Sequence, residues 1–133
     1  MSTPSLLLLL IKEMERNFNL VRQILLQVEA TKPGTTIQKL TCEGFDKATI
    51  IEHVDIMIEA DLLDGIISKT MAGSSGFLVR KITWKGHDFI ANAKNDTVWK
   101  KVMTEAKEKG SSVSLVVLNG LLTKAAQKYA GLD

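Results

Sequence analysis

The 133-residue sequence contains one cysteine, two histidines and two prolines. Because Cys42 has no second cysteine to pair with, an intramolecular disulfide is excluded, and a reducing compartment such as the cytoplasm is expected. One cysteine with His53 and His87 does not make a zinc-ligand set. No catalytic group has a recognisable base and orienting partner. The glycine-rich residues 73–76 lack the lysine-serine or lysine-threonine pair that ends a phosphate-binding loop. We therefore expect a protein that is not an enzyme, with no cofactor, metal or small-molecule ligand.

Long hydrophobic runs are also lacking. The longest aliphatic run is Leu6–Ile11, whereas a membrane span needs about 20 apolar residues. The run has neither the positive flank nor the cleavage site of a signal peptide, so secretion and membrane insertion are not expected. The simpler interpretation is a helix, capped by Ser2 or Thr3, that packs on the core or on a second copy of the chain.

The charge is small in total but unevenly distributed. The sequence is 45% hydrophobic and 24% charged, with a net charge of +2, which is ordinary for a folded globular protein. The net charge is +2 over residues 1–42, −6 over residues 43–64 and +6 over residues 65–133. Attraction to a polyanion is local, so this division matters more than the total.

The first half of the chain predicts a helix, a short strand and a second helix. Leu20, Ile24 and either Leu25 or Val28 are spaced as on one helical face, with Asn17 or Asn19 as the cap. This helix can be continuous with the Leu6–Met14 segment or broken from it. The remaining expected elements are a β-branched strand over Thr35–Thr41, a helix over Lys47–Ala60 capped by Asp46, a left-handed exit at Asp61, and core anchors at Leu62 and Leu63.

The second half predicts a hairpin followed by helices. Residues 65–71 and 77–83 are typical of two strands joined by a five-residue loop, Ala72–Gly76. Thr83 is expected to cap a helix to about Lys94 that directs Phe89, Ile90 and Ala93 inward. Beyond it we expect Asp96 to cap a helix over Thr97–Lys109, and Ser111 or Ser112 to cap a last helix to about Ala130.

This order predicts an α+β, mainly helical fold, a winged helix-turn-helix core with a β-hairpin wing and a C-terminal helical extension. We expect one domain, in which residues 1–13 are an apolar extension, residues 14–94 the winged-helix core and residues 95–133 the helical extension. An unrelated α+β domain is the alternative.

Three segments carry a family resemblance. They are MERNFNLVRQILLQVE at Met14–Glu29, IIEHVDIMIEADLL at Ile50–Leu63 and ITWKGHDFIANAKNDTVWKK at Ile82–Lys101. They resemble an uncharacterised family of bacterial and phage-encoded winged-helix proteins, a domain of unknown function, over about residues 14–130. Residues 1–13 and Asp61, where the family usually has glycine, depart from its pattern. The resemblance implies the fold and, at most, a regulatory or phage-related role.

We expect the winged helix to act as a DNA-binding transcriptional regulator. The helix from Lys47 lies at the recognition position, where Lys47, Thr49, Glu52 and His53 would face the major groove. The charge of −6 around it opposes contact with phosphate, so the helix can instead be structural or bind a protein. The expected contacts to double-stranded DNA come from Lys47, Thr49, Lys69, Arg80, Lys81 and Lys85.

The hairpin charges and the aromatic residues each have a simpler interpretation. In a regular strand Arg80 and Lys81 point to opposite faces, so they cannot both enter a DNA groove. The alternative is that the hairpin charges are solvated and prevent edge-to-edge aggregation. His53 is expected at the edge of the core, hydrogen-bonded to backbone. Trp84 and Trp99 are expected to be core anchors rather than stacking platforms for single-stranded nucleic acid.

The last helix carries apolar residues on more than one face. We expect a homodimer formed through this helix and the N-terminal run, whereas complete burial within one chain is the alternative. The residues expected at the dimer interface are Leu8, Leu9, Val117, Leu121 and Leu122. A protein-interaction module that has kept the winged-helix frame without binding DNA is the alternative function.

Overall fold

The computed structural model describes residues 17–108 and 114–131, in which five helices and a two-stranded antiparallel sheet form a mainly helical α+β arrangement. The predicted fold class is confirmed, and the arrangement is consistent with a winged-helix-like core. The elements are α1 (Phe18–Glu29), α2 (Lys47–Glu59), β1 (Leu63–Thr70), β2 (Gly73–Ile82), α3 (Trp84–Ala93), α4 (Asp96–Glu108) and α5 (Leu115–Tyr129).

The chain divides into two compact units after Thr83. The first contains α1, α2 and the β1–β2 hairpin, and the second contains α3, α4 and α5. Helix α3, which we expected to close the winged-helix core at residue 94, therefore belongs to the second unit. The apolar run Leu6–Ile11 and the expected caps Ser2 and Thr3 lie outside the described residues.

In the first unit, α2 begins after the predicted cap Asp46, and α1 begins after Asn17, one of its two candidate caps. Asn17 accepts a hydrogen bond on Oδ1 from the backbone N–H of Leu20 at 3.2 Å, and Asp46 accepts one from Thr49 at 2.8 Å. Each bond satisfies an amide that has no partner inside its helix. Both helices pack against the hairpin. Their buried apolar residues are Leu20, Val21, Ile24, Leu25 and Val28 in α1, and Ile50, Ile51, Val54 and Met57 in α2.

The exit from α2 also follows the prediction. Asp61 has a φ of 63°, in the left-handed region that aspartate tolerates better than most residues. Leu62 and Leu63 are buried directly after it. The N–H of Thr83 donates to the carbonyl of Leu62 at 3.2 Å, and its hydroxyl donates to the carbonyl of Asp61. These two hydrogen bonds therefore hold the segment after α2 next to the end of β2.

The expected five-residue hairpin loop is wrong. Thr70 pairs with Gly73, so only Met71 and Ala72 connect the strands. Gly73 has a φ of 115°, a conformation that glycine adopts without steric cost, and the Thr70 hydroxyl donates to its carbonyl at 3.2 Å. Because the reversal needs only this one glycine, the rest of the glycine–serine stretch extends β2 and pairs with β1.

The predicted strand at Thr35–Thr41 is reduced to one isolated bridge. Ile37 and Val79 exchange both backbone hydrogen bonds, each at 2.8 Å. Farther along, the side-chain amide of Gln27 donates to the carbonyl of Thr41 at 2.7 Å and accepts from its N–H at 3.4 Å. The Gln27 side chain therefore hydrogen-bonds the backbone N–H and carbonyl of Thr41, which would pair with β2 in a longer strand.

The second unit packs three helices around aromatic and aliphatic side chains. Phe89 and Trp99 meet edge to face, with ring centroids 6.3 Å apart and planes at 82°. The predicted inward residues of α3 are confirmed, since Phe89, Ile90 and Ala93 are buried. Leu118 and Leu122 are the fully buried residues that α5 contributes.

Two of the helix caps expected in the second unit are wrong. Helix α4 includes Asp96, and Asn95 supplies the cap by accepting on Oδ1 from the N–H of Val98 at 3.0 Å. Helix α5 begins at Leu115, where the Ser114 hydroxyl accepts from Val117 at 3.2 Å. Asn95 and Ser114 each precede by three residues the amide that their short side chain reaches, whereas Ser111 and Ser112 lie outside the described residues.

Candidate nucleic-acid interface

The exposed side of α2 combines one cation with several carboxylates. Lys47 is exposed at the first helical position, whereas Thr49 is half-buried and its N–H is held by Asp46. Hydrogen bonds from the side chain and then the backbone N–H of Thr49 lower the pKa of the Asp46 carboxyl, which lies next to Lys47 in the chain. Glu52 and Glu59 are exposed farther along the helix. The helix at the recognition position therefore presents a mainly acidic surface.

His53 does not face outward with these residues. It is 3% exposed, Nδ1 lies 2.9 Å from the carbonyl oxygen of Thr49, and Nε2 accepts from the N–H of Asn17 at 2.8 Å. Because the N–H of Asn17 is a donor, Nε2 carries no proton and Nδ1 donates to Thr49. The ring therefore joins the start of α1 to α2, as the core-edge interpretation predicted, and takes no part in an outward surface.

The hairpin places two cations side by side through a β-bulge. The strand register shifts opposite Asp64 and Gly65, where Lys81 pairs with Asp64 and Val79 pairs with Gly65. Arg80 is the extra residue of β2. Val79 and Ile82 are buried, whereas Arg80 and Lys81 between them are both exposed. The alternation expected of a regular strand does not apply here, because a bulge resets which side of the strand successive residues occupy.

Gly65 makes this local geometry possible. A Cβ atom at position 65 would lie 2.4 Å from the carbonyl oxygen of Leu78 and 3.0 Å from the Cα of Val79. Only a residue without a side chain allows β1 and β2 to approach so closely at the bulge.

Arg80 forms an ion pair with Asp64. Nη2 donates to Oδ1 at 2.9 Å and Nε donates to Oδ2 at 3.4 Å. The guanidinium lowers the pKa of the Asp64 carboxyl, with a further contribution from the charge of Lys81, and the carboxylate raises the pKa of Arg80. One edge of the guanidinium is therefore already occupied by an oxyanion.

The other two expected phosphate contacts are exposed. Lys69 lies near the tip of the hairpin and pairs in register with Ser74. Lys85 lies in the first turn of α3, in the second unit. Within the first unit the structure thus brings Arg80 and Lys81 together, with Lys69 on the same hairpin and Lys47 and Thr49 at the start of α2.

The two tryptophans differ completely in environment. Trp99 is 4% exposed and is a core residue, as predicted. Trp84 is 85% exposed, so its expected role as a core anchor is wrong. It is the first residue of α3, and the buried face of that helix is formed instead by Gly86, Phe89, Ile90 and Ala93.

The residues expected at a dimer interface are divided by burial. Leu8 and Leu9 lie outside the described residues. Val117 is 54% exposed and Leu121 half-buried, whereas Leu122 is fully buried and has no surface to offer a second copy. Complete burial of α5 within one chain is also wrong, because Val116 is 81% exposed.

The sequence reasoning missed Asp64 and Gly65 as partners of the hairpin cations. Asp64 and Gly65 lie near Arg80 because β1 pairs with β2, and Asp64 and Arg80 are 16 residues apart in the chain. The short-range signal was the Asp64-Gly65 pair at the start of β1, which indicates an irregular strand without identifying what lies opposite.

Comparisons with known proteins agree on a family without a described activity. The family model described as "Hypothetical protein (DUF2513)" matches residues 15–112, so it ends before α5, which the resemblance was expected to include. A Haemophilus influenzae relative described as "Uncharacterized protein" is 32% identical over 103 residues, 77% of this chain and 86% of the relative. No solved structure matches. Among residues 17–108 and 114–131, no helix has the length and apolar character to cross a membrane. The chain belongs to the DUF2513 family of hypothetical proteins.

Proposed function

We propose that this protein is a winged-helix DNA-binding regulator in which the hairpin, rather than α2, makes the main contacts to the phosphate backbone. The observation that carries the proposal is the bulge that exposes Arg80 and Lys81 together between buried Val79 and Ile82. Lysine and arginine side chains that neutralise phosphates supply most of the sequence-independent affinity for DNA.

The charges of α2 favour this division of roles. Its exposed Glu52 and Glu59 repel a phosphate backbone along most of the helix, whereas Lys47 lies at the helix start. In this proposal only the first turn of α2, with Lys47 and Thr49, approaches the DNA. The hairpin supplies the attraction that the helix lacks.

Binding to mixed-sequence duplex DNA at several salt concentrations tests the proposal. If Lys69, Arg80 and Lys81 each neutralise one phosphate, the slope of log K against log salt is no steeper than about −2.7 per chain. Lys81→Glu is expected to weaken binding about tenfold at low salt, to a similar extent for every sequence. Lys32→Glu, an exposed lysine in the turn after α1, makes the same change in net charge and is the control. Equal effects of the two substitutions, or no binding at low salt, would refute the proposal.

A protein-interaction module is the second candidate function. The acidic exposed side of α2 favours it, because Glu52 and Glu59 suit a basic protein surface better than DNA. The same measurement separates the two candidates. In the DNA-binding proposal, Glu52→Gln with Glu59→Gln tightens DNA binding by removing repulsion. An interaction module instead shows no DNA binding before or after these substitutions.

A further inference from the structure

We propose that Asp64 is an intramolecular competitor of phosphate, which holds Arg80 in a neutralised state until DNA displaces it. This inference rests on the proposed DNA-binding function and describes how the same site is regulated. The two carboxylate oxygens of Asp64 lie 2.9 Å from Nη2 and 3.4 Å from Nε of Arg80. They occupy the edge of the guanidinium that binds phosphate through two parallel hydrogen bonds.

The bulge makes the competition local. Lys81 is the register partner of Asp64, and its charge also acts on the Asp64 carboxyl. One carboxylate therefore offsets the field of two adjacent cations. A phosphate group approaching Arg80 must either replace Asp64 or use the outer guanidinium edge.

The pair is accessible enough to be displaced. The side chains of Arg80 and Asp64 are 52% and 37% exposed. Exposed ion pairs contribute little to stability and are screened by salt, so a phosphate held by neighbouring contacts can separate them. The number of contacts therefore decides whether the pair opens. An encounter in which no other side chain reaches phosphate leaves the pair closed, whereas an encounter in which Lys47 or Lys69 also binds phosphate opens it.

Substitution of Asp64 by asparagine tests this role. Asp64→Asn keeps the shape of the side chain and removes its charge, so duplex DNA should bind about threefold more tightly at low salt. In the native chain, the Asp64 carboxylate that DNA displaces takes up a cation, and Asp64→Asn lacks this uptake. The slope of log K against log salt should therefore become steeper by about one in the variant. Circular dichroism and thermal unfolding of each variant test whether the fold is retained.

Asp61→Asn is the matched control. Asp61 is exposed, lies three residues from Asp64 and has a positive φ that asparagine also tolerates. The substitution changes the net charge equally but does not touch Arg80. In an Arg80→Gln background, the gain from Asp64→Asn should fall to the level of the Asp61→Asn control, because the competing contact is already lost.

The possible results separate this inference from the proposed function. If Asp64→Asn and Asp61→Asn tighten binding equally, only long-range charge matters and the competitor role is refuted, while DNA binding stands. If Asp64→Asn weakens binding, Asp64 orients Arg80 for phosphate and the inference is again refuted. If the native chain and all variants fail to bind duplex DNA at low salt, both the proposed function and the competitor role fall.

Discussion

Substituting Gly65 by alanine is expected to destabilise the first unit by distorting the bulge. The added Cβ would lie 2.4 Å from the carbonyl oxygen of Leu78, 1 Å short of the 3.4 Å at which ordinary contact begins. The three nearest atoms, Leu78 O, Val79 Cα and Leu78 C, are all backbone atoms, so no side-chain rotation relieves the overlap. The strands must move apart, at a cost of about 1–3 kcal/mol, which is typical of overpacking in a well-packed region.

Urea unfolding followed by circular dichroism measures this cost. With an m-value of about 2 kcal/mol/M, the midpoint of Gly65→Ala should fall by roughly 0.5–1.5 M. Gly76→Ala is the control, because Gly76 lies in the same hairpin, has no positive φ and would place its Cβ with nothing within 4 Å. Its free energy of unfolding should change by less than about 0.5 kcal/mol. Equal midpoints for the two variants would refute the close approach of β1 and β2.

The same variant links the fold to the proposed function. If the bulge orients Arg80 and Lys81 toward phosphate, Gly65→Ala should weaken DNA binding even under conditions where the variant remains folded. Unchanged DNA affinity in a folded Gly65→Ala protein would show that the bulge does not position the contact residues.

Three further predictions each concern the surroundings of one residue. Asn95→Ala should lower the stability of α4 by about 1 kcal/mol in thermal unfolding, whereas Asn95→Asp, which keeps an acceptor at the cap, should cost less. Trp84→Phe should remove the red-shifted, acrylamide-accessible tryptophan fluorescence and leave the protected emission of Trp99, and an accessible signal that persists would contradict the exposure of Trp84. Burial raises the pKa of the Cys42 thiol above its ordinary value of 9.0, so the associated stability is complete below pH 9 and is lost as the pH rises through the folded pKa. Alkylation of Cys42 at pH 8 should accordingly be slow until urea opens the fold.

Local interactions made much of the secondary structure predictable. Asn17, Asp46 and Asp61 act within three residues of their own position, through a cap hydrogen bond or a backbone conformation. The helical spacing of buried residues such as Leu20 and Ile24 also depends only on neighbours along the chain. These features are properties of short segments, and the structure confirms each of them.

The errors occurred where several local solutions were equally acceptable. Asn95 and Asp96 are adjacent and both can cap a helix, and the longer glycine–serine stretch allows several turn positions. Which one is used depends on how the following element packs. The register of β1 against β2 places the turn at Met71 and Ala72. The turn residues alone do not specify that register.

The sequence by itself determined the mainly helical α+β class, the helix cap at Asp46 and the basic character of the hairpin, because short-range hydrogen bonding and composition encode them. Only the tertiary structure decided that Arg80 and Lys81 emerge together, that Asp64 neutralises Arg80, and that Trp84 is exposed. Pairing across strands and burial depend on residues distant in the chain. The local sequence therefore indicates which side chains are available, and long-range contacts decide which of them remain free to bind.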